Sequence, residues 1–283
     1  MSRYVLVATD GSAPATEAVA WAARDAVLLE RPLRIVHVAW RWAADVPLHT
    51  MHGTLSEYGH AVLEKAEEVA RTAAPGVEVE TALLSSEVIE ALMAEAEDAV
   101  EIVLGRRGHT GLSALHGGST GTALAGHLAT PVIIVGEQPE TAQSEIVVGF
   151  DGSDHAQAAL EYAFERAVLH GARVRAVFAW QVPMFSPYII GYAPIYHDIF
   201  GLEKKRALEA LEPWREKYPQ VEVVEEVVFG SPVLAITEAS AHADLAVVGS
   251  RGRGGLRSAL LGSVSHGVVN HAHCPVAVVR ARA

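Results

Sequence analysis

The sequence predicts an α/β protein made of two tandem doubly wound domains, each a five-stranded parallel sheet flanked by helices. Short, continuously apolar segments such as residues 4–8, YVLVA, alternate with longer segments of helical character. This alternation is typical of parallel strands that are covered on both faces and connected by helices. The whole order of elements then occurs a second time. In both copies, a glycine-rich segment directly follows the fourth predicted strand.

The first half is predicted to begin with a strand at 2–10 that turns at Gly11 into a helix. Ser12 is a suitable N-cap for that helix, and Pro14 suits its first turn. Pro75-Gly76 ends a later helix, and Pro131 closes the last one. Residues 40–53 are predicted to be a loop. The remaining predicted strands and helices are strands 33–39, 77–84, 101–104 and 132–135, and helices 55–73, 87–98 and one that begins after Ser119.

Four segments of the second half repeat segments of the first in the same order. Residues 146–153, IVVGFDGS, resemble 5–12, VLVATDGS, and the glycine-rich segments and last strands resemble each other likewise. Residues 165–180 resemble 24–40, and both segments end in a tryptophan. Because one shared motif arises easily but four in order do not, we infer a tandem duplication. The predicted domains are 1–137 and 145–283, joined by a polar linker at 138–144.

The segment 181–201 is unlike its counterpart and contains five aromatic residues and three prolines. The prolines predict that it lacks regular structure. Apolar residues in so long a loop either cover the core or a neighbour, or form a lid over a ligand. The sequence leaves both interpretations open.

Composition excludes several classes of function. The 283 residues include 34 acidic and 22 basic side chains, with a formal net charge of -12. We therefore expect neither nucleic-acid binding nor a polybasic membrane surface. The single cysteine, Cys274, excludes an intrachain disulfide and suits a reducing compartment. Since no apolar run has the length of a signal sequence or a membrane span, we expect a cytoplasmic protein.

The glycine-rich segment 244–265 has the features of an anion-binding loop. Glycine allows close approach of the backbone, and successive N–H groups form a concavity that binds anions. Ser263 follows Gly262 where a helix begins, so the positive end of the helix dipole adds to the effect. Arg251, Arg253 and Arg257 contribute positive charge. The alternative is a surface loop whose glycines only turn the chain and whose arginines are solvated.

The spacing of these glycines is specific, and it occurs twice. Both halves fit the pattern G-x2-G-x9-G-S/T. Each half also has a strand-ending aspartate followed by Gly-Ser, which is Asp10 or Asp151. The chain therefore resembles the ATP-binding class of the universal stress protein family in its tandem form, with a Rossmann-like, adenine-nucleotide-hydrolase-like fold. The residues that match the pattern are Gly105, Gly108, Gly118 and Ser119 in the first half, and Gly249, Gly252, Gly262 and Ser263 in the second.

The resemblance implies two ATP sites, with Mg²⁺ on the phosphates. The matching glycines and hydroxyl residues would contact the triphosphate, with Arg251 beside them. Asp10 and Asp151 would face the adenosine, although Asp-Gly-Ser is also good turn chemistry. The backbone of Val38 and Phe178 would read the adenine. Residues after the hydroxyl would complete the phosphate contact, namely Thr120 in the first half and Val264 and Ser265 in the second.

The second site is predicted to be the stronger one. It has Gly230-Ser231-Pro232 after its third strand, the corner that the family uses, where the first half has Ser85-Ser86-Glu87.

No catalytic residue is assigned. The chain has no G-x4-G-K-S/T sequence, so it lacks the P-loop lysine that stabilises a transferred phosphoryl group. His109 and His116 lie in the first loop, but the second has Arg253 and Leu260 there. A closed zinc site needs four ligands, which His271, His273 and Cys274 do not supply. We expect slow ATP hydrolysis at most, and no protein-bound metal.

Three classes of function remain open and are given in order of preference. The first is a nucleotide-dependent regulator in the stress response. The second is an interaction module that keeps the fold without nucleotide; an ATP-cleaving enzyme of related topology ranks third. The resemblance further implies that the last strands, 132–135 and 276–279, pair the halves as an internal pseudo-dimer. Association of two chains into a homodimer is left open.

Overall fold

Two compact units, Met1–Gly136 and Glu137–Ala283, make up the computed structural model of this chain. The structure describes residues 3–39, 52–106, 120–136, 143–181, 193–253 and 261–281. Each unit alternates strands with helices, which confirms the predicted α/β class.

The first unit contains a parallel sheet of five strands in the order β3-β2-β1-β4-β5. Strands β1, β4 and β5 are buried along most of their length, as expected for strands covered on both faces. The elements are β1 Tyr4–Ala8, α1 Ala13–Leu28, β2 Leu33–Val38, α2 His52–Ala73, β3 Val79–Leu84, α3 Val88–Ala96, β4 Ala99–Gly105, α4 Thr120–His127 and β5 Val132–Val135.

The second unit repeats this topology, with the order β10-β9-β6-β7-β8 and parallel pairing throughout. It adds a short helix, α7, before its third strand. The elements are β6 Glu145–Gly149, α5 Asp154–His170, β7 Arg173–Trp180, α6 Ala193–Glu209, α7 Glu212–Lys217, β8 Val223–Phe229, α8 Pro232–Ala239, β9 Leu245–Gly249, α9 Ser263–His271 and β10 Val276–Val279.

The topology of each unit defines where a ligand fits. In the first unit the chain runs from β1 to β2 and β3 on one side, then returns to β4 on the other side of β1. The second unit makes the same reversal between β6 and β9. Ligands of open α/β sheets bind in the crevice that such a reversal creates at the carboxyl ends of the strands. Both predicted glycine-rich segments begin at this edge.

The helices α1 and α5 begin as the sequence predicts. The Ser12 hydroxyl accepts a hydrogen bond from the N–H of Ala15 at 3.4 Å, and Ser153 accepts one from Ala156 at 3.3 Å. Each serine therefore satisfies one of the free N–H groups of its helix.

We expect Ser12→Ala to lower the free energy of unfolding by about 1 kcal/mol, because the cap bond to Ala15 is lost. Urea unfolding followed by circular dichroism measures the change. Ser12→Thr is the matched control, because it keeps a hydroxyl that can accept the Ala15 N–H, and it is expected to cost less than about 0.5 kcal/mol. Equal stability of the alanine variant and the wild type would show that this cap contributes nothing.

The segment 181–201 was predicted to be irregular, and the prediction is wrong for its last part. Helix α6 begins at Ala193, so Pro194 lies in its first turn, where a missing N–H costs no intrahelical hydrogen bond. Gly53, predicted in a loop, likewise belongs to α2. Residues 182–192 lie outside the described residues. Phe200 packs against Trp180 and Phe229, with ring centroids 6.2 and 6.1 Å apart, so this part of the segment covers the sheet.

A network of charges holds the amino ends of the second unit's strands together. The Glu145 side chain, only 2% exposed, accepts hydrogen bonds from Nε of Arg173 at 2.5 Å and Nε of Arg175 at 2.8 Å. Arg175 also pairs with Glu226 of β8 at 3.2 Å. Three neighbouring strands are thereby joined by side chains as well as by their backbone ladder.

The first unit has a related network around Arg34 of β2. Its guanidinium bonds Glu95 at 2.6 Å and Glu80 at 3.3 Å. The Tyr4 hydroxyl donates to the Glu95 carbonyl at 2.9 Å. Burial and the negative charge of Glu95 raise the pKa of Tyr4 to about 12, so this hydroxyl stays protonated at physiological pH.

Candidate nucleotide site

A cavity of about 600 Å³ opens at the carboxyl ends of β6, β7 and β9 in the second unit. Its volume lies in the range of small-molecule sites, roughly 300–1,000 Å³. It occupies the crevice that the reversal between β6 and β9 creates. The residues that line it are Gly149, Phe150, Asp151, Ala156, Val177, Ala179, Pro232, Ile236, Val248, Gly249, Arg251, Gly252, Arg253, Leu261, Gly262, Ser263, Val264, Ser265 and His266.

One side of the cavity is apolar. Val177 and Ala179 of β7 line it together with Pro232 and Ile236 of α8. Gly149 allows this wall to form, because a Cβ there would lie 2.4 Å from Cδ1 of Ile236. A flat, mostly apolar ring such as a nucleobase suits this wall.

The other side is the glycine-rich loop and the start of α9. Gly262 is the N-cap of α9 and offers no side-chain bond to the first-turn N–H groups. The Gly262 N–H itself donates to the Ser250 carbonyl at 2.8 Å, which closes the loop. Arg251 projects into this part of the cavity wall. Free helix N–H groups beside a guanidinium form an environment that favours an anion.

Two buried polar atoms of the same loop have no hydrogen-bond partner within the described part of the chain. They are Oγ of Ser250, a residue only 1% exposed, and Nε of Arg251. Buried donors without partners are costly, so such atoms usually have a ligand or water that completes them. Of the two residues, Arg251 lines the cavity, so its Nε supports an anion at this end.

Gly249 has a packing role that the sequence did not reveal. A Cβ on Gly249 would lie 2.8 Å from the carbonyl carbon and oxygen of His155, in the first turn of α5. Gly105 has the same relation to Pro14 in the first unit, at 2.5 Å. Both glycines allow a helix start to approach the end of a strand. Their predicted contact with triphosphate stays a prediction.

Asp151 connects the two loops at the mouth of the cavity. Its Oδ1 accepts the N–H of Ser153 at 2.9 Å, and its Oδ2 accepts the N–H of Arg253 at 3.0 Å. A Cβ on Gly252 would lie 2.6 Å from that Oδ2, so Gly252 leaves room for the carboxylate. The turn interpretation of this aspartate is thus correct. Its contact with adenosine stays a prediction.

The residues after Gly262 start α9 and line the cavity. Ser263 is exposed, Val264 is half-buried and Ser265 is buried. The Ser265 hydroxyl donates to the Gly249 carbonyl and fixes α9 to the end of β9. Ser265 was predicted to contact phosphate, and in this structure its proton is already donated to the backbone.

The predicted equivalence of Val38 and Phe178 is wrong by one residue. Val5 pairs with Leu33 in the first unit, and the corresponding Ile146 pairs with Val174 in the second. Counting five residues on from Leu33 and from Val174 makes Ala179 the equivalent of Val38 in the second unit. Ala179 lines the cavity, whereas Phe178 is buried against Phe150 with ring centroids 5.6 Å apart. Alternate residues of a strand face opposite sides, so a slip of one residue exchanges the two faces.

The first unit's site is described only in part. Asp10 makes the same turn bond as its counterpart, to the N–H of Ser12 at 3.0 Å. Val38 and Gly105 end their strands, and Thr120 begins α4. Gly108, Gly118 and Ser119 lie outside the described residues. Glu87 is the N-cap of α3.

Sequence reasoning missed the apolar wall and His155. Ala156, Ile236 and Ala179 carry no motif, and only the fold brings them to the cavity. His155 is not part of a sequence motif, and the sequence does not show what its ring contacts. Its pKa is lowered by burial, and further by the positive charges of Arg251 and Arg280.

Within the described residues, no three His, Cys, Asp or Glu side chains are grouped so as to hold a metal ion. In the same part of the chain, no helix combines the length and the apolar character that a bilayer span requires.

Comparison with known proteins gives one consistent result. The model of the universal stress protein family matches residues 1–136 and again 144–280. A universal stress protein of Mycolicibacterium smegmatis is 32% identical over 288 residues, which cover 98% of this chain and 97% of that protein. One from Mycobacterium tuberculosis is 32% identical over 300 residues, with 98% and 94% covered. The crystal structure of a universal stress protein from Archaeoglobus fulgidus aligns with a TM-score of 0.72 at 19% identity, over 99% of this chain and 97% of the other, and shows the same fold.

Proposed function

The chain belongs to the universal stress protein family, and from this premise we propose that it is an ATP-binding stress-response regulator with one nucleotide site in each unit. The observation that carries the proposal is the second unit's cavity. It combines an apolar wall with a glycine-rich loop whose buried Ser250 Oγ and Arg251 Nε have no hydrogen-bond partner among the described residues. An adenine nucleotide has the matching halves, a flat ring and a chain of phosphates.

Both ends of the cavity are needed for useful affinity. Charge-assisted hydrogen bonds contribute about 1.5–3 kcal/mol each, so four phosphate contacts give about 6–12 kcal/mol. Association itself costs an estimated 4–15 kcal/mol. Phosphate contacts alone are therefore nearly cancelled, and micromolar binding, about -8 kcal/mol, requires the apolar wall as well.

Mg²⁺ would arrive on the phosphates of the nucleotide. Asp151 is the one carboxylate among the described residues that line the cavity, and both of its oxygens already accept backbone N–H groups. The protein would hold the nucleotide and leave the coordination of the ion to phosphate and water. This arrangement suits binding rather than fast phosphoryl transfer, since the described residues that line the cavity include no lysine.

Regulation requires that the nucleotide bind two conformations with different affinity. The glycine-rich loop and the start of α9 are the elements that a triphosphate would contact. The hydrogen bonds of Asp151 and Ser265 connect these elements to β6 and β9. Nucleotide binding would thus change the contacts at the carboxyl ends of β6 and β9.

A second function, docking of another protein, is favoured by exposed apolar side chains in the second unit. Phe229 is 61% exposed, Leu202 60% and Leu234 57%. Apolar side chains of this kind mark an interaction surface where they form one contiguous patch. The internal pseudo-dimer implied by the family resemblance stays a prediction.

Titration calorimetry with ATP and Mg²⁺ tests the proposal. Gly252→Ala combined with Gly262→Ala is expected to weaken binding at the second unit at least about 100-fold, equivalent to about 2.7 kcal/mol. The first change meets Asp151 Oδ2 at 2.6 Å, and the second meets the Arg251 backbone at 3.3 Å. Gly201→Ala is the matched control, since a Cβ there meets nothing within 4 Å.

Unchanged affinity and stoichiometry in the double variant would remove the site from the second unit. A second measurement distinguishes the two functions: purified protein is denatured and the released nucleotide is identified. Release of adenine nucleotide supports the regulator. Neither release nor binding at millimolar ATP with Mg²⁺ would leave protein docking as the function.

A further inference from the structure

His155 lies where the end of β9, the start of α5 and the residues just after β10 meet. It is the second residue of α5, and its backbone lies beneath Gly249. Its ring Nδ1 is 3.0 Å from the backbone nitrogen of Ala281, just after β10. A backbone N–H can only donate, so Nδ1 must be the acceptor and cannot carry a proton. The ring is therefore neutral in this structure, with its proton on Nε2.

Four charged groups act on the His155 ring. Arg251 follows β9 and Arg280 follows β10, while Asp154 lies on α5 and Asp151 follows β6. Burial disfavours the protonated ring, and the two arginines add to this effect, whereas the aspartates oppose it. Burial and the arginines prevail, so the pKa of His155 lies below its ordinary value.

One of those two arginines is also part of the candidate site. Arg251 lines the cavity, and its buried Nε has no partner in the described part of the chain. A phosphate bound there would neutralise the positive charge that now opposes protonation of His155. Negative charge close to a histidine favours the protonated ring.

The first unit lacks this arrangement. Pro14 is the residue equivalent to His155. Its backbone packs against Gly105 in the same way as the backbone of His155 packs against Gly249. Gly136 follows β5 where Arg280 follows β10. Proline and glycine carry no titratable side chain, so any proton-linked effect at these positions belongs to the second unit alone.

We propose that His155 links nucleotide binding in the second unit to proton uptake and to release of the backbone at Ala281, just after β10. The inference rests on the proposed function. When phosphate binds beside Arg251, Nδ1 of His155 takes a proton from solvent. The ring then has two N–H groups and can no longer accept the hydrogen bond from Ala281. The segment after β10 loses that attachment.

The sign of the pH dependence follows from the two states of the ring. The pKa of His155 is lower in the free protein than in the complex. At pH values above both pKa values the ring is neutral in both states, and binding does not depend on its proton. As the pH falls from the higher pKa to the lower, affinity rises by up to about tenfold for each unit that separates them. At pH values below both pKa values the ring is protonated in both states, and the affinity no longer changes with pH through this group.

Calorimetry with ATP and Mg²⁺ at pH 8, 7, 6.5 and 6 tests the link. Measurement at each pH in two buffers with different ionisation enthalpies gives the number of protons taken up. His155→Asn is the informative variant, because its amide oxygen can accept the Ala281 N–H while the side chain does not titrate. His60→Asn, an exposed change in α2 of the first unit, is the control. The titration of ATP itself is common to all three proteins and cancels in the comparison.

We expect the wild type and His60→Asn to gain about three- to tenfold more affinity than His155→Asn between pH 8 and pH 6. They should also take up more protons on binding. In the NMR spectrum, the ring signal of His155 is identified by its absence from the spectrum of His155→Asn. The pKa measured from this signal should be higher with ATP bound than without.

Identical pH profiles and proton counts for His155→Asn and the wild type would overturn the inference and leave the nucleotide site intact. Absence of ATP binding at every pH would overturn the proposed function, and the inference with it. An NMR pKa that does not move on binding would also overturn the inference.

Discussion

Glu145→Ala is expected to lower the free energy of unfolding by about 3 kcal/mol. The substitution removes the acceptor of the hydrogen bonds from Arg173 and Arg175 and leaves two arginines without their carboxylate. Breaking a buried ion pair in this way typically costs about 3–5 kcal/mol. The side chains of Arg173 and Arg175 are 32% and 27% exposed, so water can solvate part of each guanidinium once the carboxylate is gone. The lower end of that range therefore applies.

The effect of this carboxylate should depend on pH in a defined direction. Burial alone would raise the pKa of Glu145, but the hydrogen bonds and charges of Arg175 and Arg173 outweigh burial and hold the pKa below its usual value. A lowered pKa in the folded state stabilises the protein above the pKa of the unfolded chain, about 4.3. That stabilisation is lost as the pH falls through the lower, folded-state pKa.

Urea unfolding of the wild type and of Glu145→Gln from pH 7 to pH 3 measures this dependence. The stability difference should be largest at pH 7 and should begin to shrink as the pH falls below the pKa of glutamate in the unfolded chain, about 4.3. Glu216→Gln, an exposed change in α7, is the control and should differ from wild type by less than about 0.5 kcal/mol at any pH. A constant difference for Glu145→Gln at all pH values would contradict the assigned ion pairs.

Gly249→Ala is expected both to destabilise the second unit and to abolish nucleotide binding there. The new methyl group would lie 2.8 Å from the carbonyl carbon and oxygen of His155. Both atoms belong to the backbone of a capped helix, so no side-chain rotation relieves the contact, and α5 or the end of β9 must move. Overpacking of this kind costs about 1–3 kcal/mol. Since β9 leads directly into the glycine-rich loop, the loop moves with it.

Calorimetry and urea unfolding on the same variant separate the two effects. Gly201→Ala is again the control, because it makes the same chemical change with no neighbour within 4 Å. A stable Gly249→Ala protein that binds ATP as the wild type does would show that the contact between β9 and α5 adjusts freely. The same result would also show that the glycine at position 249 is not required for the shape of the nucleotide site.

The sequence was sufficient for the fold because its signals there are local. Continuous apolar runs such as Val132–Val135 are strands in the structure, and Ser12 and Ser153 cap helices as expected. The error at Ala193 has a local cause too. Three prolines in 181–201 indicated irregular chain, but a proline within the first turn of a helix is compatible with it.

The site was less predictable because its contacts join residues far apart in the chain. The motif gave the positions of Gly249 and Ser265, but it did not show that one packs against His155 and the other bonds the backbone. Backbone pairing corrects the predicted equivalence of Val38 and Phe178 by one residue, and the correction replaces Phe178 with Ala179 at the cavity. Apolar wall residues such as Ile236 have no sequence signature at all.

The positions of Glu145 and of the cavity, at opposite ends of the same strands, have a consequence for which substitutions the fold tolerates. Substitutions that alter which ligand the cavity accepts fall on residues that contribute little to the charged network at the other end. Away from the tightly packed glycines, the lining of the cavity can therefore change while the charged network that joins β6, β7 and β8 stays intact.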